Sequence, residues 1–289
     1  MTRTARPASL RPTRRTALAA GSATGLAALL AACGESATRT EDGSVVSDGG
    51  GATEDALARI QSSGTVRIGI EGTYKPYAFH DDSDALVGFE KEIADAIAQG
   101  LGATPEYIET EWDSLIVGLD VDKYDLVINN VGITPEREER YLFSAPYARS
   151  IGRVAVHESS TIQSIADLAG KRAAQSATSN WAAKMTELGA EIVAVQGFAE
   201  AIELVVQNRV DAHANDLVSF QTYLEEKPDA PFRLLDEELP DNGVVGVLMA
   251  KGQEALQSKV DEILAGMKSD GSLAEIYQTW VGQDLTPQS

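Results

Sequence analysis

In Tyr124-Asp-Leu-Val-Ile-Asn-Asn-Val-Gly-Ile-Thr-Pro-Glu-Arg137-Glu-Glu-Arg-Tyr141, an apolar run is followed at once by the signals that start a helix. The apolar run predicts a strand over residues 126–129, Thr134 is a good helix N-cap, and Pro135 suits the first helical position. A strand that leads into a helix is the repeating unit of α/β proteins. This stretch therefore predicts an α/β fold.

Arg137 occupies an unfavourable position in the predicted helix. It is the third residue of a helix that starts at Pro135, where the helix dipole contributes partial positive charge and Glu or Gln is preferred. A cation at this position, close to the carboxyl end of a strand, is expected to receive an anion. The alternative is an exposed arginine paired with Glu138 or Glu139.

The same alternation extends in both directions from this stretch. Residues 66–131 follow the order β-α-β-α-β, and residues 172–215 repeat it. Strands are predicted at 66–70, 104–108, 126–129, 153–156, 172–174, 191–195, 212–215, 232–235 and 244–249, and helices at 88–100, 112–119, 135–140, 164–169, 178–188, 197–207, 216–225, 252–268 and 271–281. Neither half carries a dinucleotide or phosphate-loop glycine motif. The sequence thus predicts two doubly wound α/β domains.

Polar side chains stand at the carboxyl ends of these strands, where ligands bind in open α/β sheets. They are Glu71, Asn129, Asn130 and Asp216. Glu71 offers an anion or serves a turn, and Asp216 either accepts an ammonium group or only caps the next helix.

A loop in the second half supplies a further candidate. Residues 175–180, Gln-Ser-Ala-Thr-Ser-Asn, precede a predicted helix, so their backbone N–H groups are placed to bind a carboxylate together with Arg137. An ordinary N-capping loop is the alternative. Tyr74 and Trp112 lie in or next to loops and are expected to stack on the ligand, whereas Phe79 is expected in the core. These residue types together predict recognition of a zwitterion.

Catalytic and metal-binding patterns are missing from the sequence. The three histidines are dispersed, and there is no zinc-protease motif and no nucleophile elbow. Asp81, Asp82 and Asp84 predict a turn, because Leu86 and Val87 stand where a calcium loop needs a ligand and glycine. We therefore expect no catalytic residue, no cofactor and no metal.

The first 32 residues have the pattern of a lipoprotein signal peptide. Five arginines without acids precede an apolar stretch and the sequence Leu30-Ala-Ala-Cys33. Cys33 is the only cysteine and the predicted lipidation site, and residues 33–59 are a predicted flexible tether. The arginine pair at 14–15 leaves the export route open between the general and twin-arginine pathways. We expect a chain anchored by lipid to the outer face of the cytoplasmic membrane.

The mature chain is strongly acidic. Without the five arginines of the signal peptide the 24 basic residues fall to 19, against 44 acidic residues, which gives a net charge of −25. Nucleic acid and anionic lipid surfaces would be repelled.

With these residues the chain resembles the bacterial extracellular solute-binding proteins of polar amino-acid ABC transporters, over about residues 60 to 284. The likeness is carried by Glu71-Gly-Thr-Tyr-Lys-Pro-Tyr-Ala-Phe, Gly88-Phe-Glu, Trp112-Asp-Ser-Leu-Ile, Gly132-Ile-Thr-Pro-Glu-Arg137, Phe143-Ser-Ala-Pro-Tyr147 and Asp270-Gly-Ser-Leu-Ala-Glu-Ile-Tyr-Gln-Thr-Trp280. The resemblance implies a type II periplasmic-binding-protein fold. Its lobe 1 would span residues 60–148 and 248–289 and its lobe 2 residues 149–247, with hinge segments near 147–152 and 243–248.

The resemblance also implies roles for the site residues. Arg137 would clamp the α-carboxylate, Asp216 would take the α-ammonium, and Tyr74 and Trp112 would enclose the ligand side chain. The ligand-binding set implied is Glu71, Tyr74, Trp112, Asn129, Asn130, Gly132, Thr134, Arg137, Ala177, Thr178, Ser179 and Asp216. No catalytic residue is implied, and the chain is expected to act as a monomer that delivers its ligand to an ABC permease.

Within the family the chain looks most like the cystine-binding branch, through Phe79-His-Asp, Asn129-Asn-Val-Gly-Ile-Thr, Gln175-Ser-Ala-Thr-Ser-Asn-Trp181 and Asn215-Asp216. Two departures affect the carboxylate site. Gly132 stands where many relatives have a hydroxyl donor, and Ala177-Thr-Ser179 replaces the commoner Gly-Thr-Thr. A receptor for another polar amino acid, a related dehydratase using Glu71 or Asp216 as acid or base, and a tethered sensor are the alternatives.

Overall fold

Two five-stranded sheets, one in each half of the body, form the frame of the molecule. The computed structural model describes residues 55–240 and 243–287. The predicted signal peptide, Cys33 and the first part of the predicted tether lie outside the described residues. Among the described residues, no helix combines the length and the apolar composition that crossing a bilayer requires.

The strands are β1 (Thr65–Ile70), β2 (Thr73–Tyr74), β3 (Ala78–His80), β4 (Leu86–Val87), β5 (Thr104–Glu109), β6 (Leu126–Val127), β7 (Tyr141–Phe143), β8 (Ala148–Ser150), β9 (Gly152–His157), β10 (Arg172–Gln175), β11 (Glu191–Ala194), β12 (Ala212–Asp216), β13 (Phe232–Leu234), β14 (Gly243–Val245) and β15 (Leu248–Ala250). The helices are α1 (Ala56–Ser63), α2 (Phe89–Leu101), α3 (Trp112–Leu115), α4 (Pro135–Arg140), α5 (Asn180–Glu187), α6 (Phe198–Val206), α7 (Leu217–Glu226), α8 (Glu254–Asp270) and α9 (Ser272–Val281), with 3-10 helices at Ile116–Val121 and Ile165–Leu168.

Each sheet has a parallel centre and an antiparallel edge. The first sheet has the order β5-β1-β6-β15-β7, with β1 parallel to β5 and β6. The second has the order β11-β10-β12-β9-β13, with β10 parallel to β11 and β12. Apolar clusters cover both faces of each sheet, as a largely parallel sheet requires. We call the halves built on these sheets lobe 1 and lobe 2.

The chain crosses between the lobes at two adjacent strands. β8 leads from lobe 1 into lobe 2, β14 leads back, and the two pair antiparallel, with Ala148 opposite Val245. The backbone N–H of Arg149 donates to the carbonyl of Leu285 at 2.8 Å, so the last described segment lies along this crossing. The crossing thus joins the lobes through a narrow two-stranded connection.

The parallel order has a direct consequence for function. Because β1 and β6 are parallel neighbours, as are β10 and β12, their carboxyl ends meet at one edge of each sheet. Glu71 and Asn129 follow β1 and β6, while Gln175 and Asp216 end β10 and β12.

Several predicted boundaries need correction. Residues 55–59 are not tether, because Asp55 caps α1 through its side chain, Ile60 is fully buried and Gly64 ends the helix with φ 69°. Helix α2 ends at Gly102 rather than Gly100, again through a left-handed glycine, with φ 71°.

Other corrections concern elements that are broken or short. The strand predicted at 244–249 is split into β14 and β15, since the chain changes sheets between them. The helix predicted at 112–119 is α3 followed by 3-10 helix, and the strand predicted at 126–129 ends at Val127. The small sheet β2-β3-β4 and the strands β7 and β8 were not predicted.

Candidate functional site

A cavity lies between the two lobes, with about 480 Å³ of space between the lining atoms when its open mouth is included. It is lined by Glu71, Tyr74, Trp112, Asn129, Asn130, Gln175, Ser176, Ser179, Asn180, Trp181, Gly197, Phe198, His213 and Asn215. Six of the predicted ligand-binding residues line it, namely Glu71, Tyr74, Trp112, Asn129, Asn130 and Ser179. Gly132, Thr134, Arg137, Ala177, Thr178 and Asp216 do not.

Arg137 lies beside the cavity on the lobe 1 side. Thr134 caps helix α4 by accepting the backbone N–H of Arg137 at 3.3 Å, so the cap also fixes the start of this side chain. The guanidinium donates to the carbonyls of Gly132 and Thr178 at 3.0 and 3.3 Å and lies 5.5 Å from the centre of the Trp112 ring. Burial lowers the pKa of Arg137 to about 10.

The charge of Arg137 is not neutralised. No carboxylate of the described residues forms an ion pair with it, so the alternative pairing with Glu138 or Glu139 is not seen. Arg137 and the lining residue Asn180 both lie close to Gly132. A Cβ atom placed on Gly132 would be 3.6 Å from the Asn180 amide and 3.7 Å from the Arg137 guanidinium. The two carbonyl groups accept hydrogen bonds from the Arg137 guanidinium and the Trp112 ring contacts it. None of these groups carries a negative charge, so an anion can still pair with Arg137.

Glu71 and Asn129 hold each other at the adjoining ends of β1 and β6. The backbone N–H of Glu71 donates to Asn129 Oδ1 at 2.9 Å, and Asn129 Nδ2 donates to Glu71 Oε2 at 2.7 Å. Burial raises the pKa of the Glu71 carboxyl to about 7. This places a desolvated acid on the cavity wall, where a cationic group would favour its ionised form.

Asn130, the next residue, has a left-handed backbone conformation with φ 49°, which asparagine tolerates. Its N–H donates to Glu90 Oε1 at 2.7 Å. Glu90 also accepts the hydroxyl of Tyr147, just before the crossing strand β8, so the wall of the cavity is tied to the interlobe connection.

Asp216 has the alternative role that the sequence left open. Its carboxylate accepts the N–H of Val218 at 2.9 Å as N-cap of α7, and the hydroxyl of Ser150 at 2.5 Å. The side chain is 2 % exposed and does not line the cavity. The reason is strand alternation: His213 and Asn215 of β12 line the cavity, so Asp216, the next residue, faces the other side. Of the two predicted acids, Glu71 is the one that faces the cavity.

Aromatic rings form a continuous stack behind the site. Tyr74 and Tyr77 are parallel, with ring centres 4.3 Å apart, and Tyr77 contacts Phe89 at 4.7 Å. Phe79, predicted to be a core residue, is half-buried and packs edge-on against Trp280 at 6.0 Å. The stack fixes one cavity wall in lobe 1.

The lobes contact each other across the cavity. Tyr74 donates its hydroxyl to Asn215 Oδ1 at 2.7 Å. Asp113 of lobe 1 accepts both the backbone N–H and the hydroxyl of Thr178, at 3.2 and 2.8 Å. Thr178 therefore contacts Asp113 and Arg137 together, and the structure shows the lobes closed.

The predicted loop before α5 is both a wall and a helix cap. Ser179 caps α5 by accepting the N–H of Ala182 at 3.0 Å, which is the ordinary role considered for this loop. Ala177 is an exposed turn residue between Ser176, which lines the cavity, and Thr178.

Eight lining residues were not in the predicted set: Gln175, Ser176, Asn180, Trp181, Gly197, Phe198, His213 and Asn215. All belong to lobe 2, at the ends of β10 and β12 or the starts of α5 and α6. Burial lowers the pKa of His213 to about 4, so the ring is neutral and Nδ1–H donates to the Ala174 carbonyl at 2.8 Å. Their position near strand ends and helix starts was the available signal, and Gln175, Ser176 and Asn180 had been named only as members of the loop 175–180. Within the described residues no cluster of potential metal ligands is found.

Known sequences resemble the chain over most of its length. Residues 66–283 match the model of bacterial extracellular solute-binding proteins, family 3. A probable amino-acid ABC transporter-binding protein of Haemophilus influenzae is 35% identical over 229 residues, covering 79% of this chain and 89% of the relative. The L-cystine-binding protein TcyA of Bacillus subtilis is 34% identical over 266 residues, covering 90% and 94%.

Solved structures share the architecture. The L-cystine solute receptor of Neisseria gonorrhoeae in its unliganded open conformation is 35% identical, with TM-score 0.56 and coverage of 80% and 99%. An ancestral arginine-binding protein bound to arginine is 31% identical, with TM-score 0.71 and coverage of 75% and 98%. The lower score against the open structure, despite higher identity, agrees with closed lobes here.

A third structure is an ancestral amino-acid-binding protein described as a precursor of cyclohexadienyl dehydratase, 29% identical with TM-score 0.71 and coverage of 78% and 99%. The expected two-lobe, type II periplasmic-binding-protein fold is thus confirmed. The chain belongs to family 3 of the bacterial extracellular solute-binding proteins.

Proposed function

We propose that this protein is the extracytoplasmic receptor of an amino-acid ABC importer and that its ligand is L-cystine. The observation that carries the proposal is Arg137, a half-buried cation beside the cavity with no carboxylate partner among the described residues. On the cavity wall, Glu71 supplies a half-buried acid. An α-amino acid brings the carboxylate and the ammonium group that these two side chains lack.

Closure of the lobes follows from where the ligand contacts lie. Arg137 and Glu71 belong to lobe 1, whereas Ser179 and Asn180 belong to lobe 2. A ligand that touches both lobes favours the closed state only through contacts that the open state lacks. Burying a charged group without a partner costs several kcal/mol, so solutes that lack either charge are expected to be rejected.

The assignment of the ammonium group to Glu71 rather than Asp216 rests on access. Asp216 is already bonded to Ser150 and Val218 and lies outside the cavity lining. Gly132, Thr134, Ala177 and Thr178 are proposed to shape the carboxylate site around Arg137, and Tyr74 and Trp112 to enclose the rest of the ligand.

Cystine is favoured by the relatives. Both TcyA and the Neisseria receptor are named for L-cystine and match 80% or more of this chain. Since both cavity walls come from one chain, we propose that a monomer binds the ligand. The lobe boundaries proposed are 60–148 with 248–289, extended by α1, and 149–247.

Delivery to the permease is proposed to take place at the membrane surface. The family is extracellular, and its matched relatives are ABC transporter-binding proteins. Lipidation of Cys33 after removal of residues 1–32 would keep the receptor close to its permease.

Calorimetric titration of the ligand-free protein with L-cystine tests the carboxylate role. Arg137→Ala should lose measurable binding, and Arg137→Lys should keep only part of it, because a point charge cannot fork onto a carboxylate. Arg140→Ala is the matched control, since Arg140 is on the same helix but pairs with Asp120 at the surface. Binding by Arg137→Ala at the affinity of the unchanged protein would refute the proposal.

One observation favours a second candidate, a dehydratase. Glu71 is an acid with a pKa near 7 on the cavity wall, suited to proton transfer, and the chain resembles a described dehydratase precursor. Incubation with a cyclohexadienyl acid, followed by product analysis, separates the two. Turnover that is lost in Glu71→Gln would support the enzyme; recovery of unaltered substrate supports the receptor.

A further inference from the structure

Most polar side chains on the cavity wall are already satisfied within the protein. On the lobe 2 side, Ser176 donates to the Gln196 carbonyl, Ser179 caps α5, and His213 bonds to the Ala174 carbonyl. On the lobe 1 side, Glu71 and Asn129 bond to each other. Asn215 accepts the hydroxyl of Tyr74 across the gap. These groups need no ligand to complete their hydrogen bonds.

Two lining residues differ from this pattern. Six residues of the described chain each have a buried side-chain atom without a hydrogen-bond partner, and two of them line the cavity. They are Gln175, 1 % exposed, through Nε2, and Trp112, 8 % exposed, through Nε1. A buried donor without an acceptor costs free energy, and such groups in native proteins usually mark an absent partner.

The two donors stand on opposite lobes. Trp112 is the first residue of α3 in lobe 1, and Gln175 is the last residue of β10 in lobe 2. Both donors are uncharged, and Arg137 and Glu71 are separate groups with their own partners. The two donors therefore belong to walls of the cavity that come from different lobes, and a group that contacts both bridges the lobes.

We propose that Gln175 and Trp112 together bind a second polar group of the ligand, an oxygen acceptor that lies beyond its α-amino-acid head. This inference rests on the proposed function, in which Arg137 and Glu71 hold that head. The second carboxylate of a dicarboxylic amino acid such as cystine has the required chemistry. Amino acids with an apolar end leave both donors buried and unpaired, and are therefore disfavoured.

The experiment measures a ratio of affinities. L-cystine is compared with S-ethylthio-L-cysteine, which keeps the head and the disulfide but lacks the far amino and carboxyl groups. The full mature protein should bind L-cystine at least about tenfold more tightly, the effect of one unmade hydrogen bond in a closed site. Gln175→Leu and Trp112→Phe should each reduce this ratio about tenfold, because each removes one donor to the far group of L-cystine.

Trp112→Phe keeps an aromatic ring at this position and removes the N–H donor, together with part of the side-chain volume. Gln163→Leu is the matched control for the other variant, because Gln163 is an exposed glutamine of the same lobe. Circular dichroism checks that each variant is folded, and Gln175→Glu supplies a second test: its negative charge should weaken L-cystine binding more than Gln175→Leu does.

The outcomes separate this inference from the proposed function. Tight L-cystine binding with a ratio that neither Gln175→Leu nor Trp112→Phe alters would overturn the inference alone. Equal losses for both compounds would show a structural role and would also overturn it. Absence of binding of both compounds by the unchanged protein would overturn the proposed cystine receptor together with the inference.

Discussion

At the residue scale, the site depends on two partly buried charged groups, Arg137 beside the cavity and Glu71 on its wall. Arg137 and Glu71 both lie in surroundings that disfavour their charged forms, and burial shifts the pKa of each towards neutrality. A zwitterion that binds between them restores the lost interactions of both groups. Affinity should therefore respond to pH through the more easily titrated of the two, Glu71.

We predict that affinity for L-cystine falls as the pH is lowered from 7 to 5. The pKa of Glu71 is about 7, so below that pH its carboxyl is protonated and no longer pairs with an ammonium group. The loss should reach up to about tenfold per pH unit and disappear above about pH 8. Titration calorimetry at several pH values measures it. Glu71→Gln should bind more weakly at pH 8 and show a flat profile; an unchanged profile would contradict the assignment.

The raised pKa of Glu71 also makes the stability of the folded protein depend on pH. The pKa of Glu71 in the folded state is about 7, above its usual value of 4.5, so the folded state binds more protons than the unfolded state between those two pH values. Its contribution to the free energy of unfolding is therefore largest in acid and decreases as the pH rises from about 4.5 to 7.

Residues at strand ends could be predicted in part from sequence, the amides Asn129 and Asn130 as well as charged residues. Arg137 and Glu71 were identified because an ion after an apolar strand needs a partner. Asp216 could not be assigned, since a carboxylate at that position serves equally as an N-cap, and the structure shows the N-cap bond to Val218. Gln175 was named only as part of the loop 175–180, through its backbone, and its side chain was not predicted to contact the ligand.

At the element scale, Thr134, the N-cap of helix α4, is hydrogen-bonded to the backbone of Arg137, the residue proposed to bind the ligand carboxylate. Thr134→Ala should lower the free energy of unfolding by about 1 kcal/mol and weaken L-cystine binding, because the lost cap releases the backbone N–H of Arg137. Denaturant unfolding and titration measure the two effects. Thr134→Ser keeps the hydroxyl and should restore both; a Ser variant as impaired as Ala would contradict this role.

Gly152, the first residue of β9, has no room for a larger side chain. A Cβ atom on Gly152 would lie 2.4 Å from the Trp181 ring, which lines the cavity. Gly152→Ala should therefore destabilise the protein by about 1–3 kcal/mol and reduce ligand affinity. Gly266→Ala in α8 meets nothing within 4 Å and should instead stabilise by about 0.4–1 kcal/mol. Equal unfolding midpoints for the two variants would be inconsistent with this packing.

Elements with regular patterns were predictable, and those shaped by tertiary contacts were not. The residues of α4 match the prediction because Thr134, Pro135 and the preceding strand define its start. The break between β14 and β15 follows from a change of sheet, which an uninterrupted apolar run does not reveal. The sheet β2-β3-β4 has strands of two or three residues, too short for a periodic signal.

At the scale of the whole molecule, the two lobes act through the connection formed by β8 and β14. Direct contacts hold the closed state, some of them exposed, such as Asp113 to Thr178, and some partly buried, such as Tyr74 to Asn215. We predict that the ligand-free protein populates an open form and that L-cystine reduces the radius of gyration measured by X-ray scattering. Arg137→Ala should remain open at the same L-cystine concentration. A radius of gyration that L-cystine leaves unchanged would contradict closure as the response to ligand.

Thermal unfolding of the ligand-free protein, with single amino acids and with L-cystine, shows whether the protein is a cystine receptor. At about 100 times its dissociation constant, the ligand should add roughly 2.7 kcal/mol of stability. We expect a large shift of the unfolding temperature with L-cystine, none with L-cysteine, and loss of the shift when a reductant cleaves cystine. The reductant has no disulfide of the protein to break, since the chain contains a single cysteine. A shift with another amino acid and none with L-cystine would contradict the cystine assignment, and no shift with any amino acid would contradict the receptor itself.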